Sequence, residues 1–340
     1  MNCAGLKSKW QSFNKIISDI SPAVFFLQET KLNSKQKFKI ENPEYCIFRL
    51  ERLKSGGGGL VIGALSDVKP ILIREGDDIS EALSIQIEIN HMKIRCVVGY
   101  GACESDRQAK HLDITQKERR NKLWEYLDTE VIEAEQNNHG LIIQIDANAH
   151  VGCEIVNNDP NPQNDNGKVM EEFLKRNPAL IVVNNLSLCN GLITRKRKTI
   201  NNVEEAVLDF FIVNSQMLPF LVNMKVDEID EYTLTNHAQN IKNNKSVKSD
   251  HRPLFLEMNL EFTSIKPQRV EQFNFKSDDC RQIFYVNTEV TTNLTKCFEN
   301  DLPMHKQAKL WERQLENIFH KSFKKRRITN SNKKSHSKSA

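Results

Sequence analysis

Gln144-Ile145-Asp146-Ala147-Asn148 closes the apolar run Leu141-Ile142-Ile143-Gln144-Ile145, which reads as a buried strand. The run stops abruptly in Asp-x-Asn and gives way to the loop-like Ala149-His150-Val151-Gly152. A carboxylate and an amide just past a core strand lie at a sheet rim, where ligands bind in α/β folds. Spaced i and i+2 on extended chain, Asp146 and Asn148 share a face. If that rim is catalytic, other acids, an amide and an imidazole should end neighbouring strands.

The rest of the chain supplies them. Trp10, Phe13, Ile16, Ile17 and Ile20 fall at helical spacing and predict a helix that stops before Pro22. Ala23 to Leu27 reads as a buried strand running into Gln28-Glu29-Thr30, so a carboxylate again follows a core strand. An exposed loop acid would explain Glu29 alone; its repetition of the Asp146 pattern favours a site. Ser84 to Ile89 alternates as a half-buried strand, and Ile94 to Gly99 predicts another that delivers Tyr100 to a rim. A helix is expected from about Gln116 to Asn137, with Leu123, Trp124, Leu127, Val131 and Ile132 inward. After a polar stretch from Asn157 to Gly167, Val169, Met170, Phe173 and Leu174 mark another helix, and Leu180 to Val183 a strand. Leu192 to Thr199 reads as a basic loop holding Arg195, Lys196, Arg197 and Lys198.

Val207-Leu208-Asp209-Phe210-Phe211-Ile212-Val213 places an acid inside an apolar strand. A buried carboxylate must be paired or hydrogen-bonded, since desolvating it alone is prohibitive. A structural ion pair would satisfy it; so would an imidazole that it orients. Ser249-Asp250-His251, just before the strand Phe255 to Leu260, offers that imidazole. Gly56 to Gly59 lacks the Lys-Ser/Thr of a phosphate-binding loop and reads as a tight turn or a close backbone contact beside a sheet.

Composition narrows the function classes. The 39% hydrophobic and 27% charged fractions are those of a globular domain. No apolar run approaches the ~20 residues of a membrane span, and neither an n-region nor an h-region opens the chain. The eight cysteines (Cys3, Cys46, Cys96, Cys103, Cys153, Cys189, Cys280, Cys297) form no CxxC pair, so zinc and a disulfide framework are not indicated. Reduced thiols imply an intracellular setting, nuclear or cytoplasmic. The net charge is +4, but residues 303–340 carry 11 Lys/Arg and 2 Asp/Glu, a net of +9, which leaves about −5 for residues 1–302. An acidic body with a basic tail fits a metal-using site in the body and a polyanion contact in the tail. A solvated disordered tail fits it equally.

Asn2, Glu29, Tyr100, Asp146, Asn148, Asp209, Asp250 and His251 thus form a constellation of strand ends. Their oxygens suit a hard cation such as Mg²⁺, with Mn²⁺ as a substitute, which keeps several waters and takes one or two carboxylates. Phosphodiester cleavage needs a water nucleophile, charge stabilisation and help for the leaving oxygen.

The sequence here resembles the endonuclease/exonuclease/phosphatase superfamily. The matching segments come in the family's order: Asn2-Cys3-Ala4-Gly5, Gln28-Glu29-Thr30, Tyr100, Asp146-Ala147-Asn148, Leu208-Asp209-Phe210-Phe211 and Ser249-Asp250-His251. Each alone is a weak signal; in order over residues 1–260 they are specific. Within that superfamily the chain looks most like the endonuclease domain of non-LTR (LINE-type) retrotransposons. Asn158-Asp159-Pro160-Asn161-Pro162 and Gly191-Leu192-Ile193-Thr194-Arg195-Lys196-Arg197-Lys198-Thr199 carry that likeness.

The resemblance implies an α/β (α+β) four-layer sandwich, two mostly antiparallel sheets face to face with helices outside. It implies a catalytic domain at 1–262, a helical connector at 263–323 and a basic disordered tail at 324–340. It also implies a DNA-nicking enzyme of retrotransposon origin without its reverse transcriptase, acting as a monomeric domain away from membranes. In that reading Glu29 ligates Mg²⁺ with Asn2 nearby, Asp146 activates the water and Asn148 positions it. His251 binds the scissile phosphate, oriented by Asp209, and Asp250 and Tyr100 support the metal and phosphate. Arg195, Lys196, Arg197 and Lys198 contact nucleic acid. Which group is the general base stays open.

Some positions depart from the family pattern. The first strand normally begins several residues before the Asn, so a sheet strand is expected to be clipped at Met1. Gly101-Ala102 follows Tyr100 where a Pro is common, Ile145 stands where a Gly usually precedes Asp146, and Thr194-Arg195 replaces Thr-Trp. Two rival readings remain: an RNA nuclease or phosphatase of the same fold, and an inactive relic that binds nucleic acid through its tail.

Overall fold

A computed structural model describes residues 1–32, 38, 40, 42–52, 58–103, 112–199, 202–236 and 248–260. The expected connector and tail lie outside them, and so do Gly56 and Gly57.

A six-stranded sheet organises the fold. Its strands are β4 (Ile71–Glu75), β5 (Ala82–Ile89), β6 (Met92–Tyr100), β7 (Gly140–Asp146), β8 (Leu180–Val182) and β12 (Asp209–Asn214), in the order β4-β5-β6-β7-β12-β8. Every neighbouring pair is antiparallel except β6 with β7. Every residue of β7 and β12 is buried, as the continuous apolar runs require of strands covered on both faces.

Helices cover one face of this sheet. α2 (Gln116–Gln136) opens on a full capping box, the Thr115 hydroxyl accepting from the Glu118 N–H while the Glu118 carboxylate accepts from the Thr115 N–H. α3 (Asp165–Arg176) opens on the Asn164 side chain, which accepts from the Gly167 N–H. Leu123, Trp124, Leu127, Val131, Met170 and Phe173 join Ile143, Ile145, Phe210 and Ile212 in one apolar cluster. Ile132, expected inward, is 50% exposed. It lies one position past Val131, about 100° round the helix, and a helix against a sheet buries only one stripe.

The other face meets smaller sheets. β1 (Val24–Leu27), β2 (Tyr45–Leu50) and β3 (Leu60–Leu65) form an antiparallel sheet in the order β1-β3-β2. β9 (Cys189–Asn190), β13 (Leu221–Val226) and β14 (Leu254–Met258) form another, in the order β14-β13-β9. Leu60, Ile62, Met224 and the half-buried Val24, Phe26, Leu254 and Leu256 pack on Ile85, Ile94, Cys96 and Phe211. α1 (Trp10–Ile20) lies over β1 and β3 through Phe13, Ile16 and Ile17, which meet Phe25, Leu27 and Val61. It ends at Ser21, in the left-handed conformation, before Pro22. Burying a side chain such as Phe13 stabilises the fold by about 1.5–3 kcal/mol.

The expected sandwich of sheets is present, with one refinement and one correction. Among the described residues the strands facing the six-stranded sheet form separate small sheets, no strand hydrogen-bonding β1 to β14. The basic loop is a hairpin: β10 (Arg195–Lys198) pairs antiparallel with β11 (Val203–Ala206). Lys196 faces Glu205 and Arg197 faces Glu204, and such opposite-charge cross-strand pairs favour strand over loop.

Candidate active site

The register of the central sheet builds the site. Asp146 at the end of β7 sits opposite Tyr100 of β6 on one side and opposite Asp209 of β12 on the other. Residues in register on neighbouring strands project from the same face, so a phenol and two acids form one row. The Gly101 N–H donates to the Asp146 carbonyl at 2.7 Å, and a Cβ on Gly101 would lie 2.1 Å from the Ala147 carbonyl oxygen. Only glycine fits where the β6 and β7 exits cross.

The N-terminal segment and the approach to β14 close over that row. Asn2, 3% exposed, forms a parallel bridge with Gln28. Its Nδ2 donates to Asp146 Oδ2 at 2.9 Å and its Oδ1 accepts from the Ala4 N–H. The Asn148 N–H donates to Asp146 Oδ1 at 3.1 Å, and Asn148 Nδ2 to the Gly101 carbonyl at 3.0 Å. His251 Nδ1 lies 2.8 Å from Asp209 Oδ2 and 3.9 Å from Asp146 Oδ2. Asp146, Asp209 and His251 are the described residues whose donor atoms gather within 4.8 Å of one another. All three are buried, and Asp209 Oδ1 has no hydrogen-bond partner.

Their charges follow from that crowding. Burial, then the Asp209 carboxylate, raise Asp146 to about 7, although His251 pulls the other way. Burial alone would lower the His251 pKa, but Asp209 and Asp146 outweigh it and raise it to about 9. His251 is therefore held as an imidazolium at neutral pH.

Glu29 stands beside this core. It follows Gln28, the bridge partner of Asn2, and accepts a short hydrogen bond from the Tyr100 hydroxyl. Burial, then Glu29 and Asp146, push the Tyr100 phenol well above its ordinary range, so it stays protonated and can only donate there. Lys31 Nζ is 3.4 Å from the other Glu29 oxygen. Glu29 is 23% exposed at its side chain, and its backbone is left-handed at φ 47°. Asn148 at 46° and Ala4 at 45° share that strain, and strained non-glycine residues gather at functional sites. The Thr30 N–H donates to the Gly59 carbonyl and the Lys31 N–H to the Gly58 carbonyl. That is the close backbone contact expected of the glycine run, and it fixes the turn bearing Glu29.

Asp250 is turned towards the hairpin. Arg195 Nε donates to Asp250 Oδ2 at 3.0 Å, and Arg195 also bridges His251. Burial works to raise the Asp250 carboxyl, but His251 and Arg195 hold it below the usual range. Lys196 pairs with Glu205, while Arg197 and Lys198 are exposed. The structure thus gathers Asn2, Tyr100, Asp146, Asn148, Asp209 and His251, sets Glu29 against Tyr100, and ties Asp250 to Arg195.

Supporting residues were not evident from the sequence. The Ser249 hydroxyl donates to the Asn2 carbonyl at 3.1 Å and accepts from the His251 N–H at 3.3 Å. Thr194, fully buried, accepts from the N–H groups of Leu208 and Asp209 through one hydroxyl. The Asn166 side chain donates to the carbonyls of Asn148 and Ala102. Ser249 and Thr194 stand in the motifs Ser249-Asp250-His251 and Gly191 to Thr199, but nothing local assigns these bonds to them or to Asn166. Thr194→Val leaves two buried N–H groups without an acceptor. It should destabilise the chain by about 1–3 kcal/mol in urea unfolding and slow any reaction that uses Asp209.

No protein-family model matches the sequence, and no curated protein matches it. Solved structures do. The catalytic domain of Xenopus laevis APE2 superposes with a TM-score of 0.56 at 12% identity, over 77% of this chain and 92% of that one. The endonuclease domain of TRAS1, a telomere-specific non-LTR retrotransposon, superposes at 0.50 and 14% identity over 77% and 97%. A Bacteroides thetaiotaomicron protein described as of the endonuclease/exonuclease/phosphatase family superposes at 0.50 and 14% identity over 75% and 87%. The chain has the endonuclease/exonuclease/phosphatase fold. Among the described residues no helix is long and apolar enough to cross a membrane.

Proposed function

We propose that the chain is a divalent-metal-dependent phosphodiesterase that nicks DNA, of retrotransposon origin. The observation that carries this reading is the buried row of Asp146, Asp209 and His251, with Asn2 on Asp146 and the His251 ring on Asp209.

In this reading His251 donates to a phosphoryl oxygen and neutralises the charge that grows on it, as a preorganised cation in a dry site does best. Asp209 fixes the ring and keeps it charged. Asp146, raised to about 7, is an acceptor matched to neutral pH. It takes a proton from water as the water oxygen bonds to phosphorus. The phosphorus–oxygen bond to the departing deoxyribose breaks, and that oxygen leaves with the electron pair and gains a proton from solvent. Asn148 and Asn2 hold Asp146 and the water.

The metal belongs at Glu29. Its half-open carboxylate meets a phenol and a surface lysine, and oxygen donors suit Mg²⁺ or Mn²⁺. Asn2 and Asp250 are the proposed further supports, with Asp250 released from Arg195. A bound divalent cation would neutralise charge on the phosphate and the departing oxygen.

The hairpin supports a nucleic-acid substrate. Arg197 and Lys198 are exposed beside Arg195, which touches both Asp250 and His251. Removing both exposed charges should weaken DNA binding and reduce the slope of log affinity on log salt by about 1 per lost phosphate contact. A salt titration of a labelled duplex measures this. Substrate profiling tests the function as a whole: supercoiled duplex DNA should be cut in preference to RNA and a phosphate monoester. Preferred hydrolysis of the monoester would overturn it.

A further inference from the structure

Arg195 and Asp250 form an ion pair where the hairpin meets the site. Arg195 Nε donates to Asp250 Oδ2 at 3.0 Å, with the two side chains 23% and 35% exposed. Among the described residues the guanidinium makes this one hydrogen bond, through Nε alone. Backbone contacts bracket the pair. Arg195 bridges His251, the Lys196 N–H donates to the Asp250 carbonyl at 2.8 Å, and the Arg252 N–H donates to the Thr194 carbonyl at 2.7 Å. The hairpin and the Asp250-His251 segment are thus fixed in register, and the two side chains are what can move.

Asp250 also lies near Glu29. The Ser249 hydroxyl donates to the Asn2 carbonyl, and Asn2 bridges Gln28, the neighbour of Glu29. Burial lowers the pKa of the Lys9 ammonium, and Cys3, Asp250 and Glu29 oppose it. Both carboxylates therefore act on one ammonium, and a cation at Glu29 would have Asp250 close by once its oxygens were free.

Magnitudes favour exchange over a permanent pair. A partly exposed pair such as Arg195–Asp250 shifts an equilibrium by at most about fivefold. A backbone phosphate offers two charged oxygens to the planar fork, and that two-point pairing is stronger than one bond through Nε. Alternate residues of a strand share a face, so Arg195 and Arg197 lie on one face of β10. Arg197 is exposed, and a phosphate backbone drawn to it would meet Arg195 next.

We propose that Arg195 couples nucleic-acid binding to metal binding: it holds Asp250 in the free chain, and it exchanges that carboxylate for a backbone phosphate when substrate binds, which frees Asp250 for the divalent cation. The coupling rests on the metal-dependent reading of the site and adds an order to it, since cation affinity rises when substrate arrives. By linkage, the cation strengthens nucleic-acid binding by the same factor.

Mn²⁺ binding tests this without turnover. Free Mn²⁺ is followed by electron paramagnetic resonance in the full chain carrying Asp146→Asn, with and without a saturating DNA duplex, after subtraction of binding to the duplex alone. The duplex should raise Mn²⁺ affinity by at least about fivefold, the lower end of ordinary coupling between sites. Arg195→Gln should raise the affinity of the DNA-free chain by about two- to fivefold and shrink the gain from the duplex by the same factor. Arg197→Gln removes an equal charge from the same face and should leave the DNA-free affinity unchanged. Asp250→Asn should weaken Mn²⁺ binding chiefly in the DNA-bound chain, a second route to the same result in case Arg195→Gln fails to fold. With Asp250→Asn present, Arg195→Gln should no longer change the affinity, because it acts through that carboxylate. Equal DNA-free affinity with and without Arg195→Gln, or equal losses from Asp250→Asn in the free and bound chains, overturns the coupling and leaves the metal site standing. No Mn²⁺ binding with or without duplex overturns the metal-dependent reading and the coupling with it.

Discussion

Asp146→Asn should lower nicking of supercoiled DNA by about 10²–10⁴-fold, the range for loss of a positioned proton acceptor. The substitution keeps the shape and can keep the bond from Asn2, and it removes the ability to take a proton together with the acceptor that the Asn148 N–H uses. His251→Ala should cost about 10²–10³-fold, as loss of one preorganised donor does. In the proposed reaction the two act on one phosphoryl transfer, so the double variant should be far less impaired than the product of the single losses. His251→Ala has a second expected effect. It strips the counter-charge from two fully buried acids, and removing one partner of a buried pair typically destabilises by about 3–5 kcal/mol. Asp146→Asn relieves repulsion with Asp209 and should keep or raise stability at neutral pH. A variant that is inactive yet no less stable separates chemistry from unfolding.

Stability of the metal-free chain should fall as pH rises from about 5 to about 9. Folded Asp146 keeps its proton to about 7, against an ordinary 3.8, so between these values the folded state binds more protons and stability declines. His251 charges below about 9 when folded and below 6.5 when unfolded. Its contribution is full below 6.5 and lost as pH climbs through 9. Both act in the same direction, and each tenfold difference in proton affinity between the folded and unfolded chain is worth about 1.4 kcal/mol. The carboxylates held low, Asp250 among them, exert their effect only below about 4. Urea unfolding in chelator, repeated on Asp146→Asn, checks this. The variant should lose the lower part of the decline, and stability rising across the window would contradict the charge assignment.

Much of the site was legible because its residues end apolar runs. Asp146 and Asp209 stand out as acids in or beside buried strands, and the burial that makes them conspicuous is what raises Asp146 and forces Asp209 onto His251. Asn2 was legible only through motif order, and its contact with Asp146 spans 144 residues, beyond any local pattern. Thr194 and Asn166 act through backbone groups brought near by tertiary packing, which leaves no periodicity to read. The hairpin reads as a loop in the sequence because Arg195 to Lys198 have no apolar alternation; their pairing depends on Glu204 and Glu205 across the turn. The divided sheet was a matter of strand partnership, and hydrophobic runs do not report partners. The expected helical connector and basic tail lie outside the described residues.

The most direct test of a metal-dependent phosphodiesterase is nicking of supercoiled plasmid by the full chain in Mg²⁺ and in chelator, beside Asp146→Asn and His251→Ala. Relaxed circles are expected from the wild type with metal, none in chelator, and a loss of about two orders of magnitude or more in each variant. Equal nicking by wild type and both variants, with or without metal, would contradict that assignment.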